Sequence, residues 1–134
     1  MARPLFVNLA VADLPRAVAF FEKLGFAFDA EFTNEQATCM IINDGAFAML
    51  HVPDSFKSYT SKTVIDAKTQ IETMLAFSVD SREQVDELAD KALAAGGSPA
   101  MPPQDHGFMY VRTFLDPDGH HWEVFWMDRS GFPG

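Results

Sequence analysis

Three side chains capable of acid–base or metal chemistry lie in two apolar segments of this sequence. His121 and Glu123 are two residues apart, and His51 closes the other segment. Because side chains alternate across a strand, His121, Glu123 and Phe125 are predicted to share one face. A carboxylate beside an imidazole in apolar surroundings can move a proton on a bound substrate without a metal. The alternative for Glu123 is a structural carboxylate satisfied by hydrogen bonds.

A second set of polar side chains lies on the penultimate predicted strand, over 108–115, and in the loop before it. Tyr110 and Arg112 alternate with apolar residues and therefore share a face. Together with Gln104 and His106 in the preceding loop, they could contact the polar end of a ligand, such as a carboxylate. The alternative is a half-buried Tyr110 with a hydrated hydroxyl group and an Arg112 that pairs with a surface acid.

The elements that must position these residues form two similar series. Asp13 is typical of a helix N-cap, and Ser81 with Gln84 can form a capping box. The predicted elements are a strand over 6–11, a helix from Asp13, strands over 26–33, 37–42 and 47–52, then a strand over 74–79, a helix from Ser81, and strands over 98–101, 108–115 and 120–127. The order β-α-β-β-β thus occurs twice, about 68 residues apart.

This repeat predicts a single domain of two modules. Module one covers 5–53, a linker covers 54–70, module two covers 71–128, and a tail covers 129–134. The linker is rich in Ser, Thr and Lys, and is either a plain connector or a partly helical flap over a pocket.

Composition and charge limit the kinds of partner and the cell compartment that we expect for this protein. The formal net charge of −9 argues against nucleic acid, which needs a basic face, and against anionic membranes. The single cysteine, Cys39, lies in an apolar segment, which favours a reducing compartment. The first apolar segment, which is predicted as a strand, is too short for the hydrophobic region of a signal peptide or for a membrane span. We therefore expect a cytoplasmic protein.

Two motifs extend this reasoning to a family. Val11-Ala12-Asp13-Leu14 opens the first helix, and Asp116-Pro117-Asp118-Gly119 precedes Glu123. With the repeat, these motifs resemble the vicinal oxygen chelate superfamily, which includes glyoxalase I, bleomycin and fosfomycin resistance proteins and extradiol dioxygenases. The resemblance covers residues 5–128. It implies an α+β fold in which two βαβββ modules form an eight-stranded, cup-shaped mixed sheet, often in a homodimer, with a divalent metal on the floor of the cup.

The resemblance also assigns four metal-ligand positions. Glu123 matches the expected carboxylate, and His51 falls roughly on a second position. The other two fall on Phe6, which has no donor atom, and on Met74, whose thioether suits soft Cu(I). The usual site is therefore absent. A non-standard set of His51, His121 and Glu123 would suit Fe(II) or Zn if these strand faces meet.

Two functions follow from this resemblance. The first is a lyase, similar to lactoylglutathione lyase, or a dioxygenase-type enzyme with a degenerate or non-standard metal site, acting on a small organic molecule. The second is a metal-free small-molecule or antibiotic-binding protein. In the second, Phe6, Asn8, Met74 and Phe125 line a mostly apolar pocket, and the acidic balance favours a cationic drug.

Overall fold

The computed structural model describes residues 3–131, which divide into two α+β units, the first ending at Ile65 and the second beginning at Asp66. The predicted α+β fold class is confirmed, with one mixed sheet in each unit. The boundary between the units falls inside the segment predicted as a linker over 54–70. Of the predicted tail, Arg129–Gly131 forms a 3-10 turn and residues 132–134 lie outside the described part.

The first unit is a four-stranded sheet with one long helix. Its elements are β1 (Leu5–Ala10), α1 (Leu14–Lys23), β2 (Ala27–Asp29), β3 (Ala37–Asn43), β4 (Ala46–His51) and α2 (Pro53–Lys57). The sheet order is β1-β4-β3-β2, and β1 runs parallel to β4. The register pairs Phe6 with Phe47 and Ala10 with His51. Phe6, Asn8, Ala10, Phe47, Met49 and His51 therefore share one sheet face.

Helix α1 covers the other face because its start, stop and apolar stripe agree. The Asp13 side chain accepts a hydrogen bond from the Arg16 N–H, and Pro15 lies in the first turn, where a missing N–H costs nothing. Gly25 ends the helix at φ 101°. The helix buries Phe20 and Phe21 completely.

The second unit is a five-stranded sheet. Its elements are β5 (Met74–Ser78), α3 (Arg82–Ala94), β6 (Ser98–Pro99), β7 (Gln104–Asp105), β8 (Met109–Leu115) and β9 (His121–Met127). The order is β5-β9-β8-β6, and β7 also pairs with β8. As predicted, Ser81 accepts from the Gln84 N–H at the start of α3. Val85 and Ala89 of this helix pack on Val124, with Trp126 beside them.

The Asp-Pro-Asp-Gly motif builds the turn between β8 and β9. The buried Asp116 carboxylate accepts hydrogen bonds from the N–H groups of Asp118 and His120 and from the Trp122 indole. Burial raises the pKa of Asp116. Gly119 has φ 94°, and a Cβ there would lie 2.7 Å from the Ala67 carbonyl oxygen. The motif therefore has a structural role: it fixes the turn that sets the direction of β9.

Two predicted strands are shorter than expected. The strand predicted over 26–33 ends at Asp29, because the Asp29 side chain accepts from the Glu31 N–H and starts a 3-10 turn, Ala30–Phe32. The strand predicted over 98–101 ends at Pro99, and the Met101 N–H binds the Thr113 hydroxyl instead of a ladder partner. β7, predicted as loop, brings the described strands to nine.

Within residues 3–131, no helix has both the length and the apolar character needed to cross a membrane.

Candidate functional site

The predicted site residue His51 ends β4 and is 4% exposed. Its Nε2 atom lies 2.8 Å from Asn8 Oδ1, and its Nδ1 atom lies 3.0 Å from Ser55 Oγ. The Asn8 amide nitrogen donates to the Phe6 carbonyl oxygen at 3.5 Å, which orients Oδ1 towards the ring. His51 therefore donates through Nε2–H and accepts the Ser55 hydroxyl proton at Nδ1.

Local sequence places both partners. Asn8 and His51 are diagonal neighbours on one face of the parallel β1–β4 pair. Pro53 begins α2 directly after β4, so Ser55 lies over the histidine within the first turn. The rings of Phe56 and Tyr59 lie 6.1 and 5.5 Å from the imidazole. Burial lowers the pKa of His51, so the ring is neutral at pH 7.

An open cleft of about 530 Å³ lies in this unit, with His51 and Ser55 in its wall. Its size suits a small organic molecule. Among the described residues that line the cleft, two have charged side chains, Glu31 and Asp54, and both are carboxylates. The exposed rings of Phe32 and Tyr59 flank the cleft. The other lining residues are Thr33, Asn34, Gln36, Ala37, Met49 and Ser58.

In the second unit, His121 and Glu123 share a sheet face as predicted. Their Nε2 and Oε1 atoms are 3.6 Å apart, too long for a good hydrogen bond. The imidazole is 8% exposed, and its Nε2 atom has no hydrogen-bond partner within the described structure. The register places Met74 beside His121 and Ser78 beside Phe125 on the same face. This face thus combines apolar side chains with one carboxylate and one buried imidazole.

The donor atoms do not fit the divalent metal of the resemblance. His51 has no free lone pair, since Nε2 carries a proton and Nδ1 accepts the Ser55 hydroxyl proton. Phe6, at another ligand position, stacks on Phe47 with ring centroids 4.7 Å apart. Among residues 3–131, no group of three or more His, Cys, Asp or Glu side chains is placed to hold a metal ion.

Tyr110 and Arg112 share a face, as predicted, but it is the face under α3 and not the face of Glu123. The Tyr110 hydroxyl donates to Asp86 at 2.6 Å. Arg112 donates to Asp86 at 3.1 Å and to Asp90 at 2.9 Å. The tyrosine hydrogen bond lowers the pKa of Asp86, and Arg112 adds to that shift. In this structure both side chains serve the contact between helix and sheet.

Gln104 lies in β7 and His106 follows that strand, in a segment that Arg82 holds in place. The guanidinium makes two 2.9 Å hydrogen bonds to Asp105, donates to the Gly107 carbonyl oxygen, and lies 5.1 Å from the Trp126 ring. These bonds hold the pKa of Asp105 well below its usual range. His106 itself is exposed, and its backbone N–H donates to the Met109 carbonyl oxygen.

Sequence reasoning missed Ser55 and the residues that flank the cleft. A signal was available in the spacing, because His51 and Ser55 are four residues apart with Pro53 between them. A helix that begins at Pro53 brings Ser55, in its first turn, back over the end of the strand. Glu31 and Phe32 gave no signal, because the 3-10 turn that carries them was predicted as strand.

Comparison with known proteins agrees with the observed topology. The sequence model of the Glyoxalase/Bleomycin resistance protein/Dioxygenase superfamily matches residues 3–124. The chain belongs to this superfamily. Solved structures similar to this superfamily member include a hypothetical protein from S. aureus, with 25% identity and a TM-score of 0.79 over 94% of both chains. No curated protein matches the chain.

Two further structures show the same fold. A glyoxalase/bleomycin resistance protein/dioxygenase family enzyme from Burkholderia phytofirmans PsJN is 21% identical, with a TM-score of 0.78 over 94% of this chain and 99% of that one. A genomically encoded fosfomycin resistance protein from Listeria monocytogenes is 20% identical, with a TM-score of 0.68 over 94% of this chain and 91% of that one. At these identities the likeness establishes fold alone.

Proposed function

We propose that the cleft of the first unit binds a small organic molecule with an apolar body and a positive charge. The observation that carries this proposal is the lining, in which the charged side chains are carboxylates and the exposed large apolar ones are aromatic rings. Carboxylates attract a cation, and the faces of Phe32 and Tyr59 add a cation–π contribution. Met49 and Ala37 supply apolar contact for the body of the ligand.

This proposal favours the metal-free, ligand-binding member of the two functions that the sequence predicted. A basic antibiotic is one class of molecule that meets the requirements of the cleft, and sequestration of such a drug needs no turnover. Membership of a superfamily that includes bleomycin resistance proteins is consistent with that role. His51 would contribute a neutral imidazole beside the ligand, with Ser55 as the polar group in contact with it.

Three ligands of similar size and different charge test the proposal. We expect 2-phenylethylammonium to bind about tenfold more tightly than 2-phenylethanol, a difference of about 1.4 kcal/mol, and 3-phenylpropionate to bind most weakly. NMR titration should shift the amide signals of residues that line the cleft. Equal affinities, or shifts confined to residues outside the cleft, would exclude it.

Charge variants separate the cleft from the overall acidity of the protein. The double variant Glu31→Gln/Asp54→Asn should remove the preference for the cation. The matched control, Glu22→Gln/Asp44→Asn, changes net charge equally at exposed positions that do not line the cleft, and should retain the preference. Equal loss in both variants would mean that the global charge, and not this site, attracts the ligand.

The lyase or dioxygenase-type alternative depends on His121 and Glu123, the donor pair on the second sheet. Incubation with Fe(II), Zn, Ni or Mn followed by desalting tests it directly. We expect clearly less than one metal ion per chain. Near-stoichiometric metal that is lost in Glu123→Gln would support the metal-dependent enzyme instead.

A further inference from the structure

Ser55, His51 and Asn8 form a hydrogen-bonded chain in the first unit, and its Ser55 end lines the cleft, whereas Asn8 is exposed outside the cleft lining. The Ser55 hydroxyl lies 3.0 Å from His51 Nδ1, and His51 Nε2 lies 2.8 Å from Asn8 Oδ1. The histidine is 4% exposed, whereas Ser55 is half-buried and lines the cleft. A molecule in the cleft therefore reaches this chain at the serine oxygen.

The arrangement provides what an activated serine requires. A base lies within hydrogen-bond distance of the hydroxyl group, and a third residue fixes the tautomer of that base. Asn8 fulfils the third role, because its amide oxygen holds the Nε2 proton and leaves Nδ1 as the acceptor. Such a constellation is recognised by geometry and not by sequence order or fold.

We propose that Ser55 is a nucleophile towards carboxylic esters bound in the cleft, with His51 as its general base. Ser55 Oγ forms a bond to the ester carbonyl carbon while its proton passes to His51 Nδ1. The carbonyl–alkoxide bond then breaks, and the imidazolium returns that proton to the departing alkoxide. Water attacks the acyl-serine by the reverse sequence, again with His51 as base, and releases the carboxylic acid and free Ser55. No oxidant, metal or cofactor enters this balance.

The acidic lining is compatible with the same step. When His51 accepts the proton it becomes an imidazolium, and the charged side chains that line the same cleft, Glu31 and Asp54, are acidic, so none of them opposes that charge. The amide of Asn8 stabilises the imidazolium less than a carboxylate would, so both acylation and deacylation are expected to be slow. With an activated ester such as 4-nitrophenyl acetate, whose leaving group departs easily, acylation is the faster step and the acyl-serine accumulates.

The test uses the full chain and a fluorophosphonate, which forms an Oγ–P bond as fluoride leaves. Intact mass should rise by one adduct per chain, and peptide mapping should place that adduct on Ser55, with the other six serines unmodified. Ser55→Ala should abolish labelling, and His51→Gln should slow it about 100-fold or more. Ser61→Ala, at an exposed position outside the cleft, is the matched control and should be labelled at the original rate.

Two results would overturn the proposal: no adduct on folded protein, or an adduct that persists in Ser55→Ala. Thermal denaturation of each variant checks that the first unit remains folded, and the 4-nitrophenyl acetate burst should parallel the labelling in every variant. The proposal rests on the same cleft as the proposed binding function but not on ligand charge. Cation selectivity without labelling would refute the nucleophile alone, and labelling without cation selectivity would refute the binding proposal alone.

Discussion

Replacement of Asp86 by alanine tests whether Tyr110 and Arg112 serve the fold or a ligand. The carboxylate of Asp86 accepts from the Tyr110 hydroxyl at 2.6 Å and from Arg112 at 3.1 Å. The Asp90 carboxylate, one helical turn further along α3, accepts only from Arg112, at 2.9 Å, among the bonds described for residues 3–131. Asp90→Ala is therefore a matched control, since both variants replace the same residue type on the same helix.

The magnitude follows from the exposure of each partner. A hydrogen bond to a charged group contributes about 1.5–3 kcal/mol when buried. Asp86 is 49% exposed and Arg112 18% exposed, so solvent reduces the two bonds to about 2 kcal/mol together. Asp90 is 68% exposed, and its loss should cost about 0.5 kcal/mol or less. The difference of about 1.5 kcal/mol corresponds to about 6 °C in Tm for a chain of this size.

Tryptophan fluorescence during urea and thermal unfolding measures this difference, because both tryptophans lie on β9 of the same unit. The pKa of Asp86 is lowered, chiefly by the Tyr110 hydrogen bond, so its contribution is present above pH 3.8 and disappears as the pH falls through the lower folded-state pKa. Equal Tm values for Asp86→Ala and Asp90→Ala, together with weaker ligand binding in both, would refute this reasoning and return Tyr110 and Arg112 to the ligand role that the sequence predicted.

Three further predictions concern His51 and the β8–β9 turn. Asn8→Asp places a carboxylate against Nε2 and should raise the pKa of His51 in an NMR titration of the ring; an unchanged pKa would contradict the assigned contact. Burial lowers the folded-state pKa of His51, so below pH 6.5 the unfolded state binds a proton at this residue more readily than the folded state does. The free energy of unfolding should therefore lose nothing to His51 above pH 6.5, and should decline below it by up to about 1.4 kcal/mol per pH unit. Urea unfolding of His51→Gln at pH 5 and 7 should lack that component. Gly119→Ala should destabilise the second unit by at least about 1–2 kcal/mol in urea unfolding, because φ is 94° and the new Cβ would meet the Ala67 carbonyl oxygen.

Sequence reasoning recovered the features that depend on local chemistry. Asp13 and Ser81 cap the helices at the predicted positions, since a side-chain oxygen near a free N–H is a short-range signal. The strand prediction over 26–33 was wrong beyond Asp29, because Asp29 binds the Glu31 N–H and its carbonyl oxygen accepts from the Thr33 hydroxyl. These competing bonds are equally local, but β-propensity masked them.

Alternation along a strand gives the residues that share a face but not which face is covered. Tyr110 and Arg112 were correctly paired with each other, yet only the position of α3 decides that their partners are Asp86 and Asp90. Ser55 was missed for a related reason, since its contact with His51 depends on the turn at Pro53. The proposed homodimer and cytoplasmic location stay predictions from the sequence.

The contacts of His51 explain why a superfamily member with few metal donors retains a buried histidine. At the position on β1 that the resemblance assigns to a metal ligand the chain has Phe6, which stacks on Phe47. Two residues later on the same face, Asn8 Oδ1 accepts a hydrogen bond from Nε2–H of the imidazole. An imidazole that is buried and neutral requires a partner for each nitrogen, or its desolvation is uncompensated. Asn8 supplies one partner and Ser55 the other, so both nitrogens of the buried ring are satisfied within the first unit. The same hydrogen bond that satisfies Nδ1 places the basic nitrogen of His51 against a hydroxyl group that lines the cleft, which is the contact on which the proposed nucleophile depends.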